Sequence, residues 1–174
     1  MLLYISHIIF ETKGKPKMYI ISNTDEDKII YSIAFGDSLG LPYENLKEKT
    51  IQKDNFWYQE INLFQNMNSD DIDHALFTLH ALKKSKNSEE FKKKLKHYYK
   101  KWCYTFPLSI GKASLKAFFL GRGVNSAGNG GIMRAPVIGC YFRNNKEQIF
   151  PYIKISTEMT HRNQLAILTS YCVA

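Results

Sequence analysis

Ser69, Asp70 and Asp71 place a hydroxyl and two carboxylates at three consecutive positions. Hard oxygen donors of this kind are what magnesium prefers. Neighbouring side chains diverge on a regular helix, so the three can act together only at a helix start. Acids in a first turn also complement the helix dipole. That plainer role suits Asp73 and competes for the Asp pair itself. His74 lies four residues after Asp70 and shares its helix face, either as a core histidine or as a neighbour of the carboxylate.

Three further stretches carry chemistry-bearing residues. SAGNGGIMRAP, at 126–136, crowds glycines ahead of an arginine. Glycines leave no Cβ in the way of a ligand, and successive N–H groups can converge on one anion. A helix start directly behind would add partial positive charge. The stretch therefore outlines a phosphate site, with a flexible connection between helices as the alternative. Arg134 either adds charge to that site or ties the next helix to a neighbour. GDSLGLPYE, at 36–44, has Gly36 and Gly40 in a helical run, which marks close backbone contact or a helix end. Its Asp37 and Glu44 flank a Pro42 turn, beyond which a carboxylate can reach a cleft as a general base or stay in solvent. EMTHRN ends the series with His161, as a ligand contact or a packed histidine.

Helices must position these groups. Thr24 and the acids after it read as a helix start, continued by Ile30, Ile33 and Ala34. In NSDDIDHALFTLHALKK, the residues Ile72, Ala75, Leu76, Leu79 and Leu82 share one face. Asn87 and Glu90 form a capping-box pattern ahead of Phe91, Leu95, Tyr98 and Trp102 at helical spacing. SIGKASLKAFFLGRG reads as a helix with a glycine stop. Residues 131–143, 145–160 and 163–172 read as three more helices. From Thr24 onward the chain is predicted to be all-α. Residues 1–22 form a hairpin-like N-terminal extension, with Met18 as an alternative start. Residues 45–68 look irregular, anchored by Phe56, Trp57, Tyr58 and Phe64.

The 174 residues suit one domain with a real core. No run approaches the roughly 18 apolar residues of a membrane helix. The opening MLLYISHIIF lacks the basic flank and cleavage site of a signal peptide. Cys103, Cys140 and Cys172 are odd in number and far apart, which fits a reducing cytosol better than a disulfide framework. Much of the formal charge of +8 lies in the lysines of 83–102. They read as the solvated face of an amphipathic helix. A nucleic-acid patch is the weaker reading, because no fold-level motif accompanies it.

Taken in order, the four stretches resemble the ADP-ribosylglycohydrolase family. Gly36, Asp37, Gly40 and Glu44 match its Gly-Asp-x-x-Gly-x-x-x-Glu pattern. Ser69, Asp70 and Asp71 match Thr/Ser-Asp-Asp-Thr, with Ile72 in place of the final Thr. Gly128, Asn129, Gly130, Met133 and Arg134 match Gly-Asn-Gly-x-x-Met-Arg, with Pro136 one place early, and Thr160–His161 match Thr-His. The resemblance implies an all-α orthogonal bundle of helices. Ser69, Asp70 and Asp71 would hold magnesium, in a site that takes two ions when complete. Ser126, Gly128 and Asn129 would line the diphosphate and proximal ribose, with Gly130, Arg134 and His161 completing the ligand-binding set. Glu44 would lie at the scissile ribose as the catalytic carboxylate. The implied reaction is hydrolysis of the C1″ bond between ADP-ribose and a protein side chain or small acceptor.

The family's second metal motif, Asp-x-Asp-Thr, has no counterpart here, since the last Asp is Asp73. Residues 23–174 are therefore expected to be a partial, truncated domain lacking the C-terminal part, with reduced activity. A split enzyme or a degenerate relative that binds ADP-ribose without turnover would account for this. Self-association or a second chain covering the absent half goes with the same expectation.

Overall fold

The computed structural model describes residues 24–40, 70–104 and 110–174, with only the backbone of Ser38 and Leu39. The expected N-terminal hairpin and the aromatic anchors at 56–64 lie outside the described residues. Among the described residues seven α-helices form an all-α bundle: α1 Asp25–Gly40, α2 Asp70–Lys84, α3 Ser88–Cys103, α4 Lys112–Leu120, α5 Ala135–Tyr141, α6 Ile149–Glu158 and α7 Gln164–Val173. Among the described residues no helix is long and apolar enough to cross a membrane.

Local chemistry sets the helix starts. At α1, Thr24 Oγ1 accepts from the Asp27 amide (3.3 Å) and donates to the Asp27 carboxylate (2.6 Å). At α3, Asn87 Oδ1 accepts from the Glu90 amide at 2.9 Å, while the Glu90 carboxylate reaches back to the Lys86 amide at 3.1 Å. The capping box thus closes one residue earlier than the standard pattern, which uses the amide of the cap residue itself. Asn87→Ala should cost about 1 kcal/mol of stability, read as a lower urea midpoint with an unchanged slope. A change below a few tenths would mean that the Glu90 carboxylate alone holds the end. At α4 the stop is Gly121, whose φ of 65° lies in the left-handed region that favours glycine.

Helix α2 packs against α1, α3, α5 and the short 3₁₀ turn Ile132–Arg134. Its apolar face is the predicted one, with Ile72, Ala75, Leu79 and Leu82 buried and Leu76 half-buried. On α3, Phe91, Leu95, Tyr98 and Trp102 are buried, and the lysines face outward or sit half-buried. The main core joins these residues to Ile30 of α1, Val137 and Ile138 of α5 and Ile153 of α6. A smaller cluster of Tyr99, Trp102 and Cys103 lies beside it. Gly36 falls inside α1 with no described neighbour approaching it, whereas Gly40 is the last residue of α1.

Two helices begin later than the sequence predicts. The stretch expected as helix from 131 opens with the 3₁₀ turn, and α5 starts only at Ala135 with Pro136 in its first turn. The stretch expected from 145 opens with a second 3₁₀ turn, Lys146–Gln148, before α6. Single 3₁₀ turns are common at helix N-termini and share the α pattern closely enough to escape periodicity.

Candidate functional site

The glycine-rich stretch is a defined loop. Val124 pairs with the Thr160–Arg162 segment: its amide donates to the Thr160 carbonyl (3.0 Å) and its carbonyl accepts from the Arg162 amide (2.8 Å). Ser126 Oγ accepts from the Gly128 amide at 3.2 Å, and the Ile132 amide bonds the Asn129 carbonyl at 2.8 Å. The loop therefore lies directly on the segment that carries His161.

What the glycines make room for is partly the protein itself. A Cβ at Gly130 would stand 2.5 Å from His161 Cε1, and one at Gly128 would stand 3.1 Å from His161 Nε2. A Cβ at Gly131 would meet Ser170 Oγ at 2.5 Å and the Thr157 side chain at 2.7 Å. The loop is pressed onto the imidazole and onto α6 and α7, so its shape is fixed by packing. Ser126 is half-buried, while Gly128 and Asn129 remain exposed on its outer side.

Arg134 holds this loop from below. Its side chain is 1% exposed, and Nη2 donates to the Gly130 carbonyl (3.0 Å) and to Thr160 Oγ1 (2.7 Å). Of the two roles read from sequence, tying an element to its neighbour describes this placement. The guanidinium points into the protein, and its charge acts on the site through the loop. Burial pulls its pKa down to about 10, against the opposing effects of Tyr99 and the Asp70 carboxylate. No helix start sits directly behind the loop, because the 3₁₀ turn intervenes.

Thr160 Oγ1 also lies 2.8 Å from His161 Nδ1. That oxygen also accepts from Arg134, so the Thr160 hydroxyl links the imidazole to the guanidinium, and Nε2 lies beside Gly128. Burial, reinforced by the Arg134 charge, holds His161 below its usual pKa and so neutral.

Asp70 and Asp71 occupy the first turn of α2 as expected, with Asp70 buried and Asp71 half-buried. The 3₁₀ turn bearing Arg134 packs on α2, and the Asp70 charge reaches the guanidinium. Ser69 and Glu44 lie outside the described residues. Asp37, near the end of α1, is buried and close enough for its charge to reach Asp73. Residues from all four stretches are thus linked: the Asp37 charge reaches Asp73, the Asp70 charge reaches Arg134, and Arg134 bonds Gly130 and Thr160. A family model described as ADP-ribosylglycohydrolase matches residues 24–174. The chain belongs to the ADP-ribosylglycohydrolase family. Comparison with curated proteins gives no significant match. Its function is accordingly of ADP-ribosylglycohydrolase type in general terms.

Three further residues of this ADP-ribosylglycohydrolase family member do more than their sequence context shows. Asp73, read as a dipole acid, accepts from Trp102 Nε1 at 2.8 Å and so ties α2 to α3. Burial raises its pKa; the indole bond opposes this and the Asp37 charge adds to it. Tyr99 donates to the Ser114 carbonyl at 2.5 Å, linking α3 to α4. His74 is the core histidine of the two readings, 2% exposed and edge-on to Trp102 with ring centroids 4.6 Å apart.

Burial, with smaller contributions from Arg134 and His161, holds His74 well below the usual histidine value of 6.5. The unfolded chain therefore takes up a proton first as the pH falls. Stability from this group is complete above about pH 6.5 and is lost as the pH drops toward the lower folded value. His161 acts in the same direction. Urea midpoints should thus fall between about pH 7 and pH 5, by at most ~1.4 kcal/mol per pH unit for each histidine. His74→Phe should remove His74's share of the slope. An unchanged slope would place the proton uptake elsewhere.

Proposed function

We propose that the corner formed by the first turn of α2 and the 126–131 loop binds the ADP-ribose portion of an ADP-ribosylated substrate and hydrolyses its C1″ linkage with the help of magnesium. The observation that carries this reading is Arg134, which bonds the loop at Gly130 and Thr160 while its charge faces Asp70. A carboxylate corner and an amide-rich loop held side by side suit a ligand with a diphosphate and a ribose.

In this reading the exposed backbone of Gly128 and Asn129, with Ser126, receives the diphosphate. His161 supports the loop from beneath, with Nε2 beside Gly128. Asp70 and Asp71 are the described residues that would hold magnesium, together with Ser69. Their oxygens suit the ion, which is commonly held by one or two carboxylates and keeps several waters. Among the described residues no group of three or more His, Cys, Asp or Glu side chains could hold a metal ion. When bound, magnesium supplies charge stabilisation and orientation at the ribose. Glu44, matched to the family's motif, takes the role of the carboxylate at the scissile bond.

The test is release of ADP-ribose from modified arginine and serine peptides, with magnesium and with chelator. Magnesium-dependent release supports the reading. Binding of ADP-ribose without release would favour a binding protein, which the sparse carboxylate set also accommodates. Neither binding nor release at millimolar ligand would reject both.

A further inference from the structure

A cavity of about 280 Å³ lies between α3, α4 and the end of α6, with neither Asp70 nor Asp71 in its lining, and is lined by Lys92, Lys96, Lys100, Arg122 and Arg162 against one acid, Glu158. A lysine-rich helix face alone is ordinary. Here, however, Arg122 arrives from the turn after α4 and Arg162 from the segment after α6, so cations from three places in the chain converge on one groove. Among the described residues none of the five is in an ion pair; the pairs that form involve Lys28, Lys94 and Arg143. Lys96 bonds the Gly121 carbonyl at 3.2 Å, which orients one ammonium at the groove wall.

The geometry points to a second anion site, one that takes a phosphate chain of two or more units. The length argument comes from α3. Lysines at 92, 96 and 100 are four residues apart, so about 6 Å separates each from the next along the helix and about 12 Å spans the set. Flexible lysine side chains can draw in from that spread, and two or more linked phosphates meet more of these cations at once than a single phosphate does. Guanidinium forks and ammonium point charges are the usual partners of phosphate oxygens. Base stacking contributes little. Tyr99 on the groove floor is 5% exposed and its hydroxyl is committed to Ser114, so it offers no open face of the kind single-stranded nucleic acid uses. Phe118 and Met159 are half-buried lining residues and give the groove an apolar part. The groove also backs onto the candidate active site: Arg162 follows His161 directly, and its amide bonds Val124 at the base of the glycine loop.

Titration calorimetry of the full chain with pyrophosphate, in low and high salt, tests this. The expected result is one site that weakens steeply with salt. The double variant K100Q/R122Q changes two exposed side chains and should weaken pyrophosphate at least tenfold while leaving ADP-ribose binding unchanged. An ADP arm separates the sources. Tighter binding than pyrophosphate, persisting when the active-site corner is saturated with ADP-ribose, assigns a nucleotide; equal binding assigns an inorganic chain. Four results would overturn the proposal: no heat with millimolar pyrophosphate, an unaffected double variant, one-for-one displacement of pyrophosphate by ADP-ribose, or binding of an oligonucleotide or oligoglutamate that pyrophosphate cannot displace. Because ADP-ribose is titrated separately, failure of the groove and failure of the active-site reading give different patterns.

Discussion

Arg134→Met is expected to destabilise the protein by about 3 kcal/mol and to abolish measurable ADP-ribose binding together with it. The side chain is buried, and methionine refills much of its volume, so the cavity left behind is small. The loss comes from the polar partners. Hydrogen bonds from a charged donor contribute roughly 1.5–3 kcal/mol each, and the Gly130 carbonyl and Thr160 hydroxyl would both lose one. Asp70 would also lose a facing cation. Working the other way, burying a guanidinium is itself costly, as its lowered pKa and its unpartnered Nε among the described residues show. Removing it relieves part of that penalty, which is why the expected loss is well below the sum of two charged hydrogen bonds and an ion contact. For a chain of this length about 3 kcal/mol corresponds to a fall in Tm of roughly 6–12 °C. Thermal unfolding and ADP-ribose titration at a temperature where the variant remains folded separate the two effects. A folded variant that binds ADP-ribose normally would show that the loop keeps its shape without Arg134.

Asp70→Asn is expected to lower magnesium-dependent release of ADP-ribose by at least ~100-fold, with a rise in the magnesium concentration needed for half-maximal activity. Asparagine keeps the size and one carbonyl oxygen but removes the charge that a hard cation requires. The competing role is the dipole role. An acid in a first turn contributes only ~0.3–1 kcal/mol, so under that role the variant loses a little stability and its magnesium dependence stays as it was. Asp73→Asn is the internal control. Its carboxylate accepts from Trp102, so its loss should show in stability more than in magnesium dependence. Equal magnesium profiles for wild type and Asp70→Asn would remove Asp70 from the metal role.

Much of the scaffold is readable from the chain because helical burial repeats every three to four residues. Ile72, Ala75, Leu79 and Leu82 on α2 and Phe91, Leu95, Tyr98 and Trp102 on α3 announce the buried faces by spacing alone. Thr24, Asn87 and Gly121 announce ends, because side-chain capping and a positive φ are local demands. The onsets of α5 and α6 escaped this reading because a 3₁₀ turn differs from an α turn by one hydrogen-bond step and leaves no separate pattern.

The site divides along the same line. Residue types and order placed Asp70 and Asp71 at a helix start and Ser126–Gly130 in a loop, and they led to the family, because those choices are made within a few residues of chain. Depth and partnership were decided only by tertiary packing. That Arg134 would be buried under the loop, that Gly130 would be a glycine because His161 lies against it, and that Asp73 would reach Trp102 depend on segments 26 to 31 residues apart in sequence. Such contacts follow from how the helices stack, and a single sequence records the residues that meet without recording the meeting.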